Sequence, residues 1–357
     1  MTAVRPAPSR ARGAPVPTES RGGLLRRAPG IAVLAVIGAL DIAFALFSWG
    51  RWLASGPAPV TRYRDPGDLA SFWTARIYEG LIAIAVVALT IYLVRACLRQ
   101  RRLVFDAVIV IGGFFTLFWD PMVNWLQPNF FYSSQWLNLN TWVGETPFVV
   151  NPVAGTMPQP VFIMFVYPFG LLAFAMIVDR MMWAVRRVRP GIGTIGLVGT
   201  AFVGGGLMGM VLEAPAFLTH LWALPGAPAA FSLFGNGHRY PWAEYLTTAI
   251  VFATFASMRH FRNDAGETLA ERGTSHLRPT ARAAVSVLVV TAAFAMSMWA
   301  LILVQIPAGM HASPYPRDYP DHLVNDLCSI RADQPTAYGP CPGSPGFRLP
   351  IAQTFSP

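Results

Sequence analysis

Lysine is missing from this chain. All 27 basic residues among its 357 are arginine, so no amine side chain can form a Schiff base with retinal or any other carbonyl compound. Charge of both signs is scarce: 13% of residues carry one, where an average soluble domain has about 25%. The six histidines, His220, His238, His260, His276, His311 and His322, include no pair at the spacing of a helical zinc motif and no histidine box. His311, Asp318, Asp321 and His322 are neighbours in sequence, but no metal is expected there. A phosphate loop, a dinucleotide fingerprint and a nucleophile elbow are also absent. Redox and nucleotide-driven chemistry thus have no support in the sequence, and no cofactor is expected. What the chain has is apolar surface: 54% of residues are hydrophobic and the mean hydropathy is +0.44. It reads as an integral membrane protein.

An apolar window of about 20 residues finds seven candidate spans, at 30–50, 76–95, 104–121, 161–183, 192–213, 242–259 and 282–305. The expected fold is all-α, a polytopic bundle of about seven transmembrane helices in the plasma membrane. Length and the internal Asp41 make the first span an uncleaved anchor rather than a signal peptide. Nineteen of the 27 arginines fall in the N-terminal tail and in the second, fourth and sixth connections, while connection 121–160 has none. Arginine-rich loops are cytoplasmic, which puts the N-terminus inside and the C-terminus outside. Anchoring at the anionic inner leaflet accounts for the net charge of +9, so no nucleic-acid partner is expected. Residues 1–29, rich in Pro, Arg and Ala, read as a disordered tail. Residues 30–305 form the transmembrane domain, and 306–357 a Pro-rich extracytoplasmic tail. Cys328 and Cys341 lie in that tail, where an oxidising compartment allows a disulfide; two free thiols are the alternative.

Carboxylates in or beside apolar spans are costly and read as functional by default. Five meet that description: Asp41, Glu79, Asp120, Glu213 and Glu244. In the inferred orientation the last four lie at the outer boundary, and Asp41 sits roughly 16 Å deep, near the midplane. Each outer acid also has a structural reading. Glu79 and Glu244 occupy first helical turns, where a carboxylate suits the helix dipole. Asp120, before Pro121, and Glu213, before Ala214 and Pro215, stand where helices end. Asp41 has no helix end nearby and must face protein or water. Asp106 and Asp179 read as inner-surface ion pairs with Arg101, Arg102 and Arg180. The glycine-rich fifth span, with Gly204, Gly205, Gly206 and Gly209, reads as a close-packing surface.

Two outer connections, 121–160 and 214–241, are long enough to suggest lids or binding loops. The first interleaves amides with aromatics: Asn124, Asn129, Tyr132 and Trp136 stand out. The second adds His220, His238 and Tyr240, with Trp242 just after it. Such a cover suits a pocket that grips an oxygenated, otherwise apolar molecule; an interfacial aromatic belt explains part of it.

The segments WDPMVNWLQPNFFY, GTMPQPVF, LPGAP, RYPWAEYL and FRNDAGETLAERG, followed by YPDHLVNDLC and YGPCPG, resemble in that order the AveC-type spirocyclase family of actinobacterial membrane proteins. The resemblance covers roughly Phe105 to Gly343. It implies closure of a dihydroxy-ketone polyketide to a spiroketal, in some members with dehydration, and no cofactor. It also implies an acid where Gln159 stands. The expected activity is therefore a cyclase or dehydratase acting on an apolar polyketide or lipid-like substrate by carboxyl general acid–base catalysis. Asp41 or Glu213 would be the acid, and Asp120 or Glu244 the base. A non-enzymatic carrier or proton-coupled transporter, and a structural subunit docking a partner, are the alternatives. The sequence leaves the oligomeric state open.

Overall fold

The computed structural model describes residues 28–60, 68–224, 227–310, 319–328 and 339–341. Residues 1–27 of the expected N-terminal tail, and most of 306–357, lie outside them. Seven long helices form the body. They are α1 (Pro29–Ser55), α2 (Leu69–Gln100), α3 (Phe105–Thr116), α4 (Ile163–Val188), α5 (Thr194–Leu218), α6 (Trp242–His260) and α7 (Pro279–Met310). Six are long and apolar enough to cross a membrane: α1, α2, α3 with the two 3-10 turns that prolong it to Asn124, α4, α5, and α7 over Pro279–Ala300. The seventh expected span, 242–259, is helical but is not among the six. Glu244, Thr247, Thr248, Thr254, Ser257, Arg259 and His260 dilute its apolar content. It packs on α4, α5 and α7 with nine buried residues, and leaves Trp242, Leu246 and Ile250 exposed on its other face.

Local chemistry sets the helix ends. Pro29 stands in the first turn of α1, where its missing N–H costs nothing. Gly56, at φ +82°, closes that helix in the left-handed region. Asp68 caps α2 by accepting from the Ser71 N–H (3.0 Å) and hydroxyl (2.7 Å). The helix thus starts before residue 76, so Glu79 lies in its interior and not in the first turn. Likewise α5 runs through Pro215 to Leu218, which makes Glu213 an interior residue of a helix. In α4, Pro168 cannot donate to the helical ladder, and Val166–Gly170 widens into a π-turn.

Packing runs α1 on α7, α3 on α7, and α4 and α5 on α6. The Phe105–Asn124 span is central, 67% buried, whereas α2 is peripheral at 6%. Gly38 brings α1 onto the backbone of Leu288 in α7. Asp106 and Asp179, expected at the inner surface, are instead buried. Arg259 clasps both, with Nε 3.0 Å from Asp106. Tyr92 donates to Asp106 at 2.7 Å, and the His260 ring meets Asp179 at 2.7 Å. A cross-helix partner on α6 satisfies the two acids better than the adjacent surface arginines, because buried charges need direct partners.

The two long connections, 121–160 and 214–241, carry structure of their own. Strand β1 (Phe131–Tyr132) pairs with β4 (Trp222–Ala223), joining the two loops; β2 (Asn138–Asn140) pairs with β3 (Pro158–Pro160), and β5 (Ser232–Leu233) with β6 (Tyr240–Pro241). A short helix, α8 (Asp321–Val324), docks on this cap. The Ser134 N–H donates to the His322 carbonyl at 2.7 Å. The His322 ring lies between the Ser133 hydroxyl (2.9 Å) and Asp68 (3.2 Å). These three residue types are those of a nucleophilic triad, but Ser133 is fully buried, accepts from the Gln135 N–H at 3.0 Å, and is not on the cavity wall. The arrangement is a clasp. Cys328 and Cys341 form a disulfide behind it. Replacing both by serine is expected to cost about 3 kcal/mol in the chain-entropy view, read as faster proteolysis of the docked segment.

Burial, which would raise the Asp68 carboxyl, is outweighed by hydrogen bonds from Ser71 and by His322, and the group titrates below its ordinary 3.8. The resulting stability is present above 3.8 and is lost as pH falls through the depressed value. Asp68→Asn should therefore lower the melting temperature in neutral detergent solution and make no difference in strongly acidic buffer.

Candidate functional site

A cavity of about 820 Å³ lies beneath the cap, walled by α2, α4, α5, α6 and α7. Three carboxyls reach its wall: Asp120, Glu213 and Glu244. Each arrives by a different device.

Asp120 sits between the turns Leu117–Trp119 and Pro121–Asn124, where Pro121 prevents α-helix from continuing. Its Oδ1 accepts from the Tyr167 hydroxyl at 2.8 Å and the Tyr132 hydroxyl at 3.0 Å; Oδ2 accepts from Gln159 Nε2 at 2.8 Å. All three neighbours donate, which is the environment of a carboxylate. Tyr167 comes from the π-turn of α4. That turn fits against α3 only because residue 113 is glycine; a Cβ there would lie 2.7 Å from the Tyr167 carbonyl oxygen. Gln159 is held opposite Leu139 in the β2–β3 pair. The Gln159 Oε1 is buried without a hydrogen-bond partner among the described residues.

Glu213 and Glu244 reach one cavity wall because α5 and α6 touch. A Cβ on Gly206 would lie 2.4 Å from the Tyr245 ring, and one on Gly209 would lie 2.3 Å from Thr248 Oγ1. Glu213 accepts from the Tyr240 hydroxyl at 3.0 Å. Glu213 interacts electrostatically with Glu244, and Glu244 with Asp120. Among the described residues no three acids, histidines or cysteines are grouped as metal ligands. Burial, and then the charge of Asp120, push the Tyr132 phenol well above its ordinary range. Burial and Glu213 do the same to Tyr240. Both phenols stay protonated at any working pH and act as donors.

The other expected site residues fall elsewhere. Asp41 is buried and accepts from Trp119 Nε1 at 2.8 Å; its second oxygen has no partner among the described residues, and it is not on the cavity wall. The azimuth of α1, fixed by its contact with α7, turns it away. Glu79 pairs with Arg76 at 3.0 Å and accepts from the Leu137 N–H at 2.8 Å, tying α2 to the cap. Asn124 accepts from the N–H groups of Asn129 and Phe130 and donates to the Phe130 carbonyl. Neither Asn124 nor Asn129 reaches the cavity. The expected amide grip is thus spent on the loop's own backbone, whose polar groups must all be satisfied. Trp136, fully buried, donates to the Leu221 carbonyl and packs on Phe162, which does line the cavity. His220 and His238 stack on each other at 4.3 Å away from the wall, with His238 on the Phe217 carbonyl. Trp242 points outward, 46% exposed. Tyr132 is on the wall, and Tyr240 supports Glu213 from behind.

Tyr167 and Tyr78 are wall residues that the sequence reading missed. A signal for the first existed: Tyr167-Pro168 interrupts the apolar run 161–183, and a proline inside a span marks a distorted turn.

A family model described as Spirocyclase AveC-like matches residues 100–324. The match takes in Asp120, Glu213, Glu244 and the tyrosines that hold them, and leaves out Asp41 and Glu79. No curated protein and no solved structure matches the chain. The match spans more than half of the sequence, and the chain belongs to the AveC-like spirocyclase family.

Proposed function

We propose that this protein is a membrane-embedded spirocyclase-type enzyme that closes an apolar dihydroxy-ketone on carboxyl chemistry alone. The observation that carries the reading is three carboxyls in one otherwise apolar cavity, one of them bonded by three neutral donors. Spiroketal closure joins two hydroxyls to one ketone and releases one water. In the first half the base takes the proton of one hydroxyl as it adds to the carbonyl carbon, and the acid protonates the carbonyl oxygen. In the second half the roles reverse: the carboxyl that took the first proton gives it to the resulting hydroxyl, which leaves as water, and its carboxylate then faces the oxocarbenium. The second hydroxyl attacks the oxocarbenium and gives its proton to the carboxyl ionised in the first half, which restores the starting state.

Asp120 suits the base and the partner of the oxocarbenium, since its neighbours favour the carboxylate. Two carboxyls side by side in a dry site hold one proton more readily than two charges, which assigns the acid to the Glu213–Glu244 pair. Tyr132 and Tyr167 would orient Asp120, and Tyr240 Glu213. The apolar remainder of the wall excludes water and strengthens these interactions.

The arginine distribution supports a cytoplasmic N-terminus, with the cap and its disulfide on the outer, oxidising side of the plasma membrane. In that arrangement α6 is a seventh span, and the catalytic bundle of residues 30–305, whose last helix runs on to Met310, precedes the Pro-rich tail. The test is the amide series Asp120→Asn, Glu213→Gln and Glu244→Gln, assayed in membranes on a synthetic long-chain ketone with a hydroxyl on each side.

A further inference from the structure

The cavity is polar at one end only. The three carboxyls, Tyr132, Tyr167, Thr247 and Thr248 gather beneath the cap, and the wall beyond them is apolar, with Ile82, Ala85, Phe174, Met181 and Met208. Along α5 the wall extends from Glu213 to Gly204, and along α6 from Glu244 to Phe252. At 1.5 Å per residue each stretch is about 12–14 Å. A head chamber thus continues into an apolar limb that follows the helices into the bundle.

The limb is open on its side. Leu81 on α2, and Leu207 and Val211 on α5, belong to its wall and yet are 62%, 48% and 73% exposed. The only buried residues of α2 are Ser71, Ala75 and Leu93, so the helix does not close against α5 along its middle. At the top of the gap the Tyr78 hydroxyl donates to the Leu212 carbonyl. Water at such an opening would be costly beside so much apolar surface, whereas acyl chains fit it.

We infer that this limb is a tail subsite open to the bilayer between α2 and α5. The substrate it fits is a one-ended amphiphile: an oxygenated head at Asp120, Glu213 and Glu244, and an apolar tail lying in the limb. It exchanges with the lipid phase directly, without crossing water. The head end rests on the proposed catalysis; the tail end stands on the polarity and exposure of the wall.

The experiment places the full chain in phosphatidylcholine vesicles with a long-chain alcohol carrying a diazirine at its far end. Irradiation and peptide mapping then locate the adducts. Adducts are expected on the wall residues between Tyr78 and Ala85 and between Gly204 and Leu212, displaced by excess unlabelled alcohol. Leu207→Trp with Val211→Trp should cut them severalfold, because indoles would fill the gap. Even labelling of the lipid-facing Ile77, Ile84 and Ile91, with no displacement by the competitor, would overturn the subsite. The displacement arm uses the unaltered protein and does not depend on the tryptophan variant folding. Asp120→Asn separates the two proposals: displaceable adducts with undiminished turnover in that variant would sink the catalysis alone. Undisplaceable labelling, with turnover that does depend on Asp120, would sink the tail subsite alone.

Discussion

Asp120→Asn is expected to lower turnover by about 10²–10⁴-fold, the usual contribution of a positioned acid or base. The substitution keeps the volume of the side chain, so the packing around it need not change. It replaces an acceptor oxygen by an NH2 group facing hydroxyl and amide donors, which removes the charge and leaves one or more donors unpaired. Glu213→Gln and Glu244→Gln should each cost less, because the remaining carboxyl of the pair can still carry the proton. Asp41→Asn should leave turnover near that of the unaltered protein, since Asp41 is bonded to Trp119 and lies off the cavity wall. Size-exclusion profiles and melting curves would show that each variant folds. Undiminished turnover in a well-folded Asp120→Asn protein removes the proposed base.

Gly38→Val should be the most destabilising single change in α1. A Cβ at residue 38 would lie 2.0 Å from the Leu288 carbonyl oxygen, 2.7 Å from its carbon and 3.0 Å from its Cα. These are backbone atoms, so no rotamer can relieve the overlap; α1 has to leave α7. Its other contacts would go with it, including the Asp41–Trp119 bond and the edge-on packing of Trp49 and Trp52 against Trp142. Overpacking typically costs about 1–3 kcal/mol and occasionally more; a backbone-to-backbone clash belongs at the top of that range. Gly30→Val supplies the control, because nothing lies within 4 Å of residue 30. The check is the difference in melting temperature between the two variants in one detergent, and equal melting points would refute the argument.

Composition and apolar runs were enough to read the helical body and six of its long helices, because burying a span in lipid demands about 20 apolar residues whatever its neighbours. The standing of α6 was less legible. A helix with one face packed on three others can carry Thr247, Thr248, Ser257 and Arg259 there, so its hydropathy reports its neighbours as well as the membrane. Depth was legible for the acids and azimuth was not. Asp120, Glu213 and Glu244 were found by their place at the ends of apolar runs, and that property brings them together. Glu79 shares it and Asp41 lies in the middle of a run, yet neither meets the others: the rotation of a helix decides whether a side chain meets a cavity or a tryptophan. The amides of 121–160 misled for a related reason: between its short strands the loop needs side chains such as Asn124 to satisfy its own N–H groups before any ligand. Gln159 was singled out by the resemblance alone, and only the β2–β3 register explains why it lands on Asp120.

Residues 319–328 are synthesised after every long helix, yet Ser133, Ser134 and Asp68 take partners from them. The roof of the chamber is therefore latched by a turn that leaves the ribosome after all seven long helices. Until that turn has docked, the bundle can assemble with its chamber uncovered. Completion of the site thus waits on a segment outside the helical body.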